Sequence, residues 1–231
     1  LEDERQQAME ELRSLEKLQA SMVHMATHDL KDELNVIQVA TDMLLMQHRD
    51  EETVQQVSNI LDAIGSSERL INTFMDINRL RAGKLELHPE MLPLLGIVQA
   101  VVSKYDGSLK RKQQQVVIDV QADVMVLADE ARAIQALSKL FSNAIKYSPV
   151  QSTITIQSRQ CDSGDSGRAR LIVRDEGPGI AQEERDRLFL LYSRLSTRPT
   201  ANEKSNGIGL WIAKNLIERM DGRIGVDFPD R

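Results

Sequence analysis

Residues 27–37 read THDLKDELNVI. Leu30, Leu34 and Ile37 recur at fours and threes, the mark of one helical face. His28 lies off that stripe, on a polar face shared with His24, Lys31, Asp32 and Asn35, and an acid, Asp29, follows it at once. The stretch is therefore an amphipathic helix that presents a histidine among acids. Outward from it the stripe continues forward through Thr41 and Leu44 and backward through Ala26, Met22, Gln19, Leu15, Leu12 and Ala8. The alternating fours and threes at its amino-terminal end predict a coiled-coil seam, with Gln19 as one polar interruption and Leu18 beside it. Successive fours at Met22, Ala26 and Leu30 shift the phase like a stutter, and one helix is predicted over about residues 5–47.

After a polar turn over residues 48–52, Val57, Leu61, Ile64, Ile71, Phe74 and Met75 predict a second amphipathic helix, ending near Arg81 before Gly83. Together they form a helical hairpin. A single hairpin covers one side of each helix, so two copies closing a four-helix bundle is the simplest way to cover the rest, and a homodimer is expected. Beyond Gly83, VVIDV (116–120), VMVLA (124–128), STITIQ (152–157) and ARLIVRD (169–175) read as strands. Helices are predicted over 92–112, 129–147 and 207–220, and CDSGDSG (161–167) reads as a hairpin connection. The fold class is thus a long helical hairpin followed, past a boundary at about residues 82–90, by an α/β domain with helices layered on a sheet.

Composition narrows the function. The chain has 231 residues, 41% hydrophobic, and a net charge of −6 with no basic block, which argues against an electrostatic grip on nucleic acid or anionic lipid. Its single cysteine, Cys161, excludes an internal disulfide framework and a cysteine-based zinc site, which favours a cytoplasmic compartment. No apolar run is long enough to span a membrane, and no signal-peptide pattern opens the chain. Leu1 leads straight into charged helical sequence without an initiator Met, as expected of the cytosolic part of a larger protein.

Three motifs in the second half carry chemistry. RDEGPGIA (174–181) ends a strand with Asp175 and supplies Gly177 and Gly179, where a backbone can approach a planar ligand; a buried carboxylate there could accept a hydrogen bond from an adenine amino group. The same residues also make an ordinary Asp-Gly turn. SNGIGLWIAK (205–214) sets Gly207 and Gly209 before a helix whose first N–H groups can face a phosphate, although glycines there also serve close packing. LSKLFSNAIKYSP (137–149) puts Asn143 on a helix with Lys139 and Tyr147 one turn to either side and Lys146 three residues on, a face that could meet a metal-bound triphosphate or simply solvent.

In this order the three motifs resemble the nucleotide-binding domain of the sensor histidine kinases, a branch of the ATPase superfamily that includes DNA gyrase, a heat-shock chaperone and a mismatch-repair protein. Residues 129–149 are similar to its N-box, DEGPGI (175–180) to its first glycine box, RLFLLYSRL (187–195) to its F-box, and residues 206–224 to its second glycine box. THDLKDELNVI resembles the H-box of the phosphotransfer hairpin, and INRLRAGKLEL (77–87) the hairpin's usual exit. The resemblance implies a coiled-coil signalling helix over 1–20, a dimerisation and phosphotransfer domain over 21–82, a linker over 83–90 and a catalytic ATP-binding α/β sandwich over 91–231. His28 would attack the γ-phosphate of ATP through one ring nitrogen while Asp29 takes the proton from the other. Asn143 would ligate Mg2+ and Asp175 would bind adenine. Lys146 and Tyr147 would face ribose and phosphates, and Gly177, Gly179, Gly207 and Gly209 would shape the pocket. Arg194 would approach the phosphates and residues 195–206 would form a lid; Lys139, one helical turn before Asn143 on the same face, is expected to reach the same phosphates. The implied partner is an aspartate on a response-regulator receiver domain.

The chain departs from the family's pattern at five points. Asp32 stands where Thr or Asn is usual four residues after the histidine, and Glu33 stands for the following Pro, so the helix is expected to lose its kink. Lys139 replaces the first Asn of the N-box, Ser205 replaces the first Gly of the second glycine box, and the usual last strand is not found before Arg231. Lys139 and Glu33 favour an alternative reading, a degenerate kinase acting as a dimeric nucleotide- or regulator-binding module. A zinc pair of His24 and His28 has the i, i+4 spacing, but no third ligand is near it in sequence.

Overall fold

The structure, a computed structural model, describes residues 2–48, 50–83, 85–160, 168–193, 195–200 and 207–227, with backbone alone at 2–5, 7–21, 24 and 160. The chain divides into two compact units, Leu1–Leu85 and Glu86–Arg231.

The first unit is a hairpin of two helices, α1 (Glu2–Gln47) and α2 (Glu51–Arg81), packed along each other. Asp50 starts α2 by accepting from Thr53 N (2.9 Å), which holds the Asp50 carboxyl below its ordinary value. Glu51 and Glu52, read in the sequence as turn, therefore belong to the first helical turn, where acids suit the helix dipole. At the far end Gly83 takes φ 68°, as a residue just past a helix often does. The chain runs helical through Glu33. The seam over residues 8–19 falls where only the backbone is described, and that backbone is helical.

The apolar stripe of α1 resolves into two lines. Thr27 and Thr41 are buried, with Val23, Leu34 and Leu45 half-buried, and these face α2. Each of the two threonines closes its own hydroxyl onto the carbonyl four residues back, Val23 and Ile37 respectively, which satisfies a buried polar group. The neighbouring line, Met22, Leu30, Ile37 and Leu44, stays 44–64% exposed. On α2 Val57, Ile64, Ile77 and Leu80 are buried while Leu70 and Phe74 are exposed.

Among its described residues the second unit holds two sheets. β1 (Glu90–Pro93) pairs antiparallel with β3 (Met125–Ala128). β2 (Gln115–Asp119) lies parallel to β4 (Thr153–Gln160), which pairs antiparallel with β5 (Ala169–Arg174), in the order β2-β4-β5. The helices are α3 (Leu94–Lys104), α4 (Asp106–Lys112), α5 (Glu130–Tyr147) and α6 (Gly209–Arg219), with a 3₁₀ turn over Gln182–Arg187. Ile154 and Ile156 alternate inward from β4 and meet Val98 and Val101 of α3 and Phe141 of α5, all essentially inaccessible. Each such side chain contributes about 1.5–3 kcal/mol by leaving water.

Two features differ from the sequence reading. The helix expected over 92–112 starts only at Leu94, because Pro93 pushes Leu92 into extended backbone and residues 90–93 become a strand. It then breaks at Tyr105 (φ −104°), whose ring packs edge-on to Phe141 at 5.7 Å and whose hydroxyl donates to Ser138 O at 3.2 Å. Burial pushes the Tyr105 phenol above its ordinary value. The connection over 161–167 and Cys161 lie outside the described residues.

Candidate active site

His28 stands on the water-facing side of α1, its side chain 69% exposed. Its Nδ1 lies 3.1 Å from Oδ2 of Asp32, which is 62% exposed. Consecutive helical residues diverge by about 100° around the axis, whereas residues four apart stack on one face. The structure accordingly sets Asp32, not the adjacent Asp29, against the imidazole; among the described residues no ion pair joins Asp29 to His28. The i, i+4 spacing was the signal that could have found this pair.

In the second unit the site is organised by α5, which is tied at both ends. At its start Asp129, 8% exposed, accepts from Arg132 N and from His88 N, both at 3.0 Å. Burial pushes the Asp129 carboxyl up, but these two N–H groups, with the positive charges of Arg132 and His88, more than offset it and hold the carboxyl below its ordinary value. At its end the last carbonyls of α5 lack helical partners. Lys112, 6% exposed, supplies them: its Nζ donates to Ile145 O (2.8 Å), Lys146 O (3.1 Å) and Thr200 Oγ1 (2.8 Å). Thr200 also donates through its N–H to Lys146 O (3.0 Å) and through its hydroxyl to Ser148 O (2.9 Å). A cation at a helix carboxyl end is doubly favoured, by hydrogen bonds and by the dipole.

This anchoring fixes the half-buried Asn143, Lys146 and Tyr147. The first glycine box reaches Tyr147 directly, since a Cβ on Gly177 would lie 3.2 Å from the Tyr147 carbonyl and 2.7 Å from Asp175 Oδ1. Gly177 N instead donates to that Oδ1 at 2.8 Å, which orients the carboxylate. Asp175 itself is exposed rather than buried, because β5 ends at Arg174 and the side chain stands beyond the sheet. Gly179 takes φ 78°, and its carbonyl accepts from Thr197 Oγ1 at 3.3 Å. Gly207 (φ 64°) lies so close to residue 193 that a Cβ would come within 2.4 Å of the Ser193 carbonyl. Gly209 opens α6 against the aliphatic part of Lys139, 3.9 Å from where its Cβ would be.

Of the lid segment, residues 195–200 are described and tied down: Ser196 donates through N and Oγ to Glu184 at 2.7 and 2.8 Å, and Thr197 and Thr200 bond as above. Arg194, Ser205 and residues 201–206 lie outside the described residues. Lys112 and Glu184 were not picked out from the sequence, and Thr197 and Thr200 only as part of the 195–206 segment. Lys112 is the last residue of LKRK (109–112), and nothing local sets it apart from the two basic residues before it. Among the described residues no group of three His, Cys, Asp or Glu could hold a metal ion, and no helix is long and apolar enough to cross a membrane.

An exposed histidine on a helical hairpin, followed by an α/β unit with glycine boxes around a polar helix face, defines a class: phosphoacceptor helix plus ATP-binding domain. Residues 6–83 match the His Kinase A (phospho-acceptor) domain family, and residues 128–230 match the histidine kinase-, DNA gyrase B-, and HSP90-like ATPase family. The chain belongs to the sensor histidine kinases, whose cytoplasmic core has these two domains in this order. It is 29% identical over 216 residues to two-component system protein A of Emericella nidulans, covering 90% of this chain and 31% of that protein. It is 28% identical over 225 residues to the sensor histidine kinase GacS of Pseudomonas protegens, covering 96% and 24%. Full-length ShkA, whose crystal structure is a complex with AMPPNP, shares the fold at a TM-score of 0.73 and 23% identity, covering 87% of this chain and 41% of ShkA. The chain thus spans less than a third of the length of these curated relatives.

Proposed function

We propose that this chain is the core of an ATP-dependent protein-histidine kinase that phosphorylates itself on His28 and hands the phosphoryl group to an aspartate of a response-regulator receiver domain. Residues 21–82 serve as the dimerisation and phosphotransfer domain and 91–231 as the catalytic domain. The observation that carries the reading is the exposed His28 imidazole with a carboxylate already on one nitrogen, in a chain that also holds an ATP-binding domain. Phosphoryl transfer needs chiefly position and charge neutralisation. Asp175, oriented by Gly177, is the adenine acceptor, able to distinguish an amino group from a carbonyl by hydrogen-bond direction. Lys146, Tyr147 and Arg194 approach ribose and phosphates, and Lys139 adds a point charge. Mg2+ keeps water and phosphate oxygens and needs few protein ligands, so the amide oxygen of Asn143 fits an ion that arrives with the nucleotide; when bound, it neutralises phosphate charge.

The second copy covers the exposed line of Met22, Leu30, Ile37 and Leu44, which continues into an apolar groove lined by Met22, Val23, Ala26, Leu30, Ile71 and Phe74. A homodimeric four-helix bundle accounts for that surface. The test is to incubate the chain with γ-labelled ATP and look for acid-labile phosphate, which His28→Gln should abolish while nucleotide binding persists. Label retained in His28→Gln would overturn the assignment.

A second reading, a degenerate kinase that binds nucleotide or regulator without turnover, draws on Lys139, whose stem lies beside Gly209 where the family has a neutral Asn. A clamp of this kind tightens ground-state binding without lowering the barrier. Nucleotide binding by calorimetry with no phosphate on His28 would favour it.

A further inference from the structure

We infer that Lys112 is a positioning residue for ATP: its buried ammonium clasps Thr200 onto the carbonyl of Lys146 and so seats residues 195–200 on the end of α5 that carries Lys146 and Tyr147. The inference rests on the ATP-binding part of the proposed function and not on transfer to His28.

The geometry begins in the connector between α4 and β2. Gln113 takes φ 53°, which ends α4, and Lys112 and Gln114 on either side of it are 6% and 7% exposed and both bond to the end of α5. The Gln114 amide nitrogen approaches Pro149 O at 2.9 Å and the Ile145 and Ser148 carbonyls at 3.3 Å, which ties that end to the connector. Lys112 shares Ile145 O (2.8 Å) and adds Lys146 O (3.1 Å) and Thr200 Oγ1 (2.8 Å). An ammonium has three protons, enough for all three acceptors, and its positive charge suits a helix carboxyl end. Gln114 therefore holds α5, whereas Lys112 joins α5 to residue 200.

The join is made at the backbone of a nucleotide-facing residue. Lys146 O accepts from both Lys112 Nζ and Thr200 N–H (3.0 Å), and the Thr200 hydroxyl accepts from Nζ while donating to Ser148 O (2.9 Å). Elsewhere in the segment Ser196 bonds to Glu184 and Thr197 to the Gly179 carbonyl, and both contacts are exposed. A hydrogen bond to a buried charge biases a local equilibrium about ten- to a hundredfold, against about severalfold for contacts open to water. Thr200 is thus the main anchor of the segment. Without it the nucleotide must supply the ordering, and apparent affinity falls by the fraction of chains in which the segment is seated.

The experiment titrates ATP with Mg2+ into the full chain by calorimetry, in the His28→Gln background so that no phosphate is transferred. Thr200→Val removes the hydroxyl at nearly constant volume and should raise Kd about tenfold with the number of sites per chain unchanged. Thr200→Ser should return Kd to within about twofold of the parent. Lys112→Met should match Thr200→Val, and the double variant should lie within about twofold of the weaker single one, since both remove one clasp. Loss of stability alone would lower the number of sites and leave folded chains with the parent's Kd. With His28 intact, the autophosphorylation KM for ATP should rise with Kd while kcat stays within about twofold, because saturating ATP refills the seated population. Hydrogen exchange at the residue-200 amide should quicken about tenfold in Thr200→Val and slow again by a similar factor under saturating ATP, since such coupling is reciprocal. A Kd in Thr200→Val equal to the parent's would overturn the inference, as would exchange at residue 200 that ignores ATP. If Lys112→Met does not fold, the two Thr200 variants decide. A parent that binds ATP but never labels His28 removes the autokinase reading and leaves the clasp standing on the Kd series.

Discussion

At Gly177 one methyl group separates two outcomes. The backbone N–H holds Asp175 Oδ1 at 2.8 Å, and a Cβ on the same residue would sit 2.7 Å from that oxygen. Because Asp175 is exposed, its carboxylate can swing away, and the 3.2 Å approach to the Tyr147 carbonyl asks the backbone to give only slightly, so alanine there should turn the adenine acceptor aside at a modest cost to folding. Gly177→Ala should therefore weaken ATP binding at least about tenfold by calorimetry, or 1.4 kcal/mol, while the urea midpoint stays close to that of the parent. An unchanged affinity would remove Asp175 from the recognition of adenine. Gly207 has no such freedom: the atom in the way is the Ser193 carbonyl at 2.4 Å, and φ 64° already disfavours a side chain. The same residue type therefore serves orientation at one box and close packing of the backbone at the other.

Among the elements, α5 repays attention at both ends. Replacing its cap, Asp129→Ala, should cost about 1–2 kcal/mol at neutral pH. The folded carboxyl sits below its ordinary value, so the stabilisation is complete above the unfolded value, about 4, and fades as pH falls through the folded one. Urea titrations of parent and variant should thus converge in strongly acidic buffer; a gap of constant size would show that the carboxylate charge is irrelevant. Lys112→Met, at the other end, leaves the carbonyls of Ile145 and Lys146 without their cation and removes one of the bonds that hold Thr200. A loss of about 3 kcal/mol is expected, with faster proteolysis near residue 200. Most of this architecture was legible in advance where periodicity is strong: both hairpin helices, α5, α6 and four strands lie close to where the residues put them. What escaped was set by tertiary partners. The residue-105 break answers to Phe141, and nothing local marks Lys112 as buried while Lys110, two residues earlier, pairs with Asp106 in solvent. For the site, the glycines and the α5 face were readable from spacing. The exposure of Asp175 depended on where a strand ends, whereas the Asp32 contact was open to reading from its i, i+4 spacing on a predicted helix.

For the molecule as a whole, the hairpin leaves Met22, Leu30, Ile37 and Leu44 at 44–64% exposure on one helix and Leu70 and Phe74 at 55% and 47% on the other. An association that buries them makes stability depend on protein concentration. The unfolding temperature of the hairpin should rise with concentration, and Leu44→Glu should weaken the dimer by about 2 kcal/mol in sedimentation equilibrium. A monomer at micromolar concentration would count against the bundle. The parallel pairing of β2 with β4 adds a consequence in time. Gln115 must find Thr153 across the whole of α5, and Lys112 must find Thr200 across 88 residues, whereas the hairpin closes on itself through a short connection. Low contact order folds fast and long-range pairing folds slowly. On the ribosome the hairpin is also made first. Refolding from denaturant should then show an early phase that quickens with protein concentration and a later one that does not, so that two chains become partners before either has an ATP-binding domain.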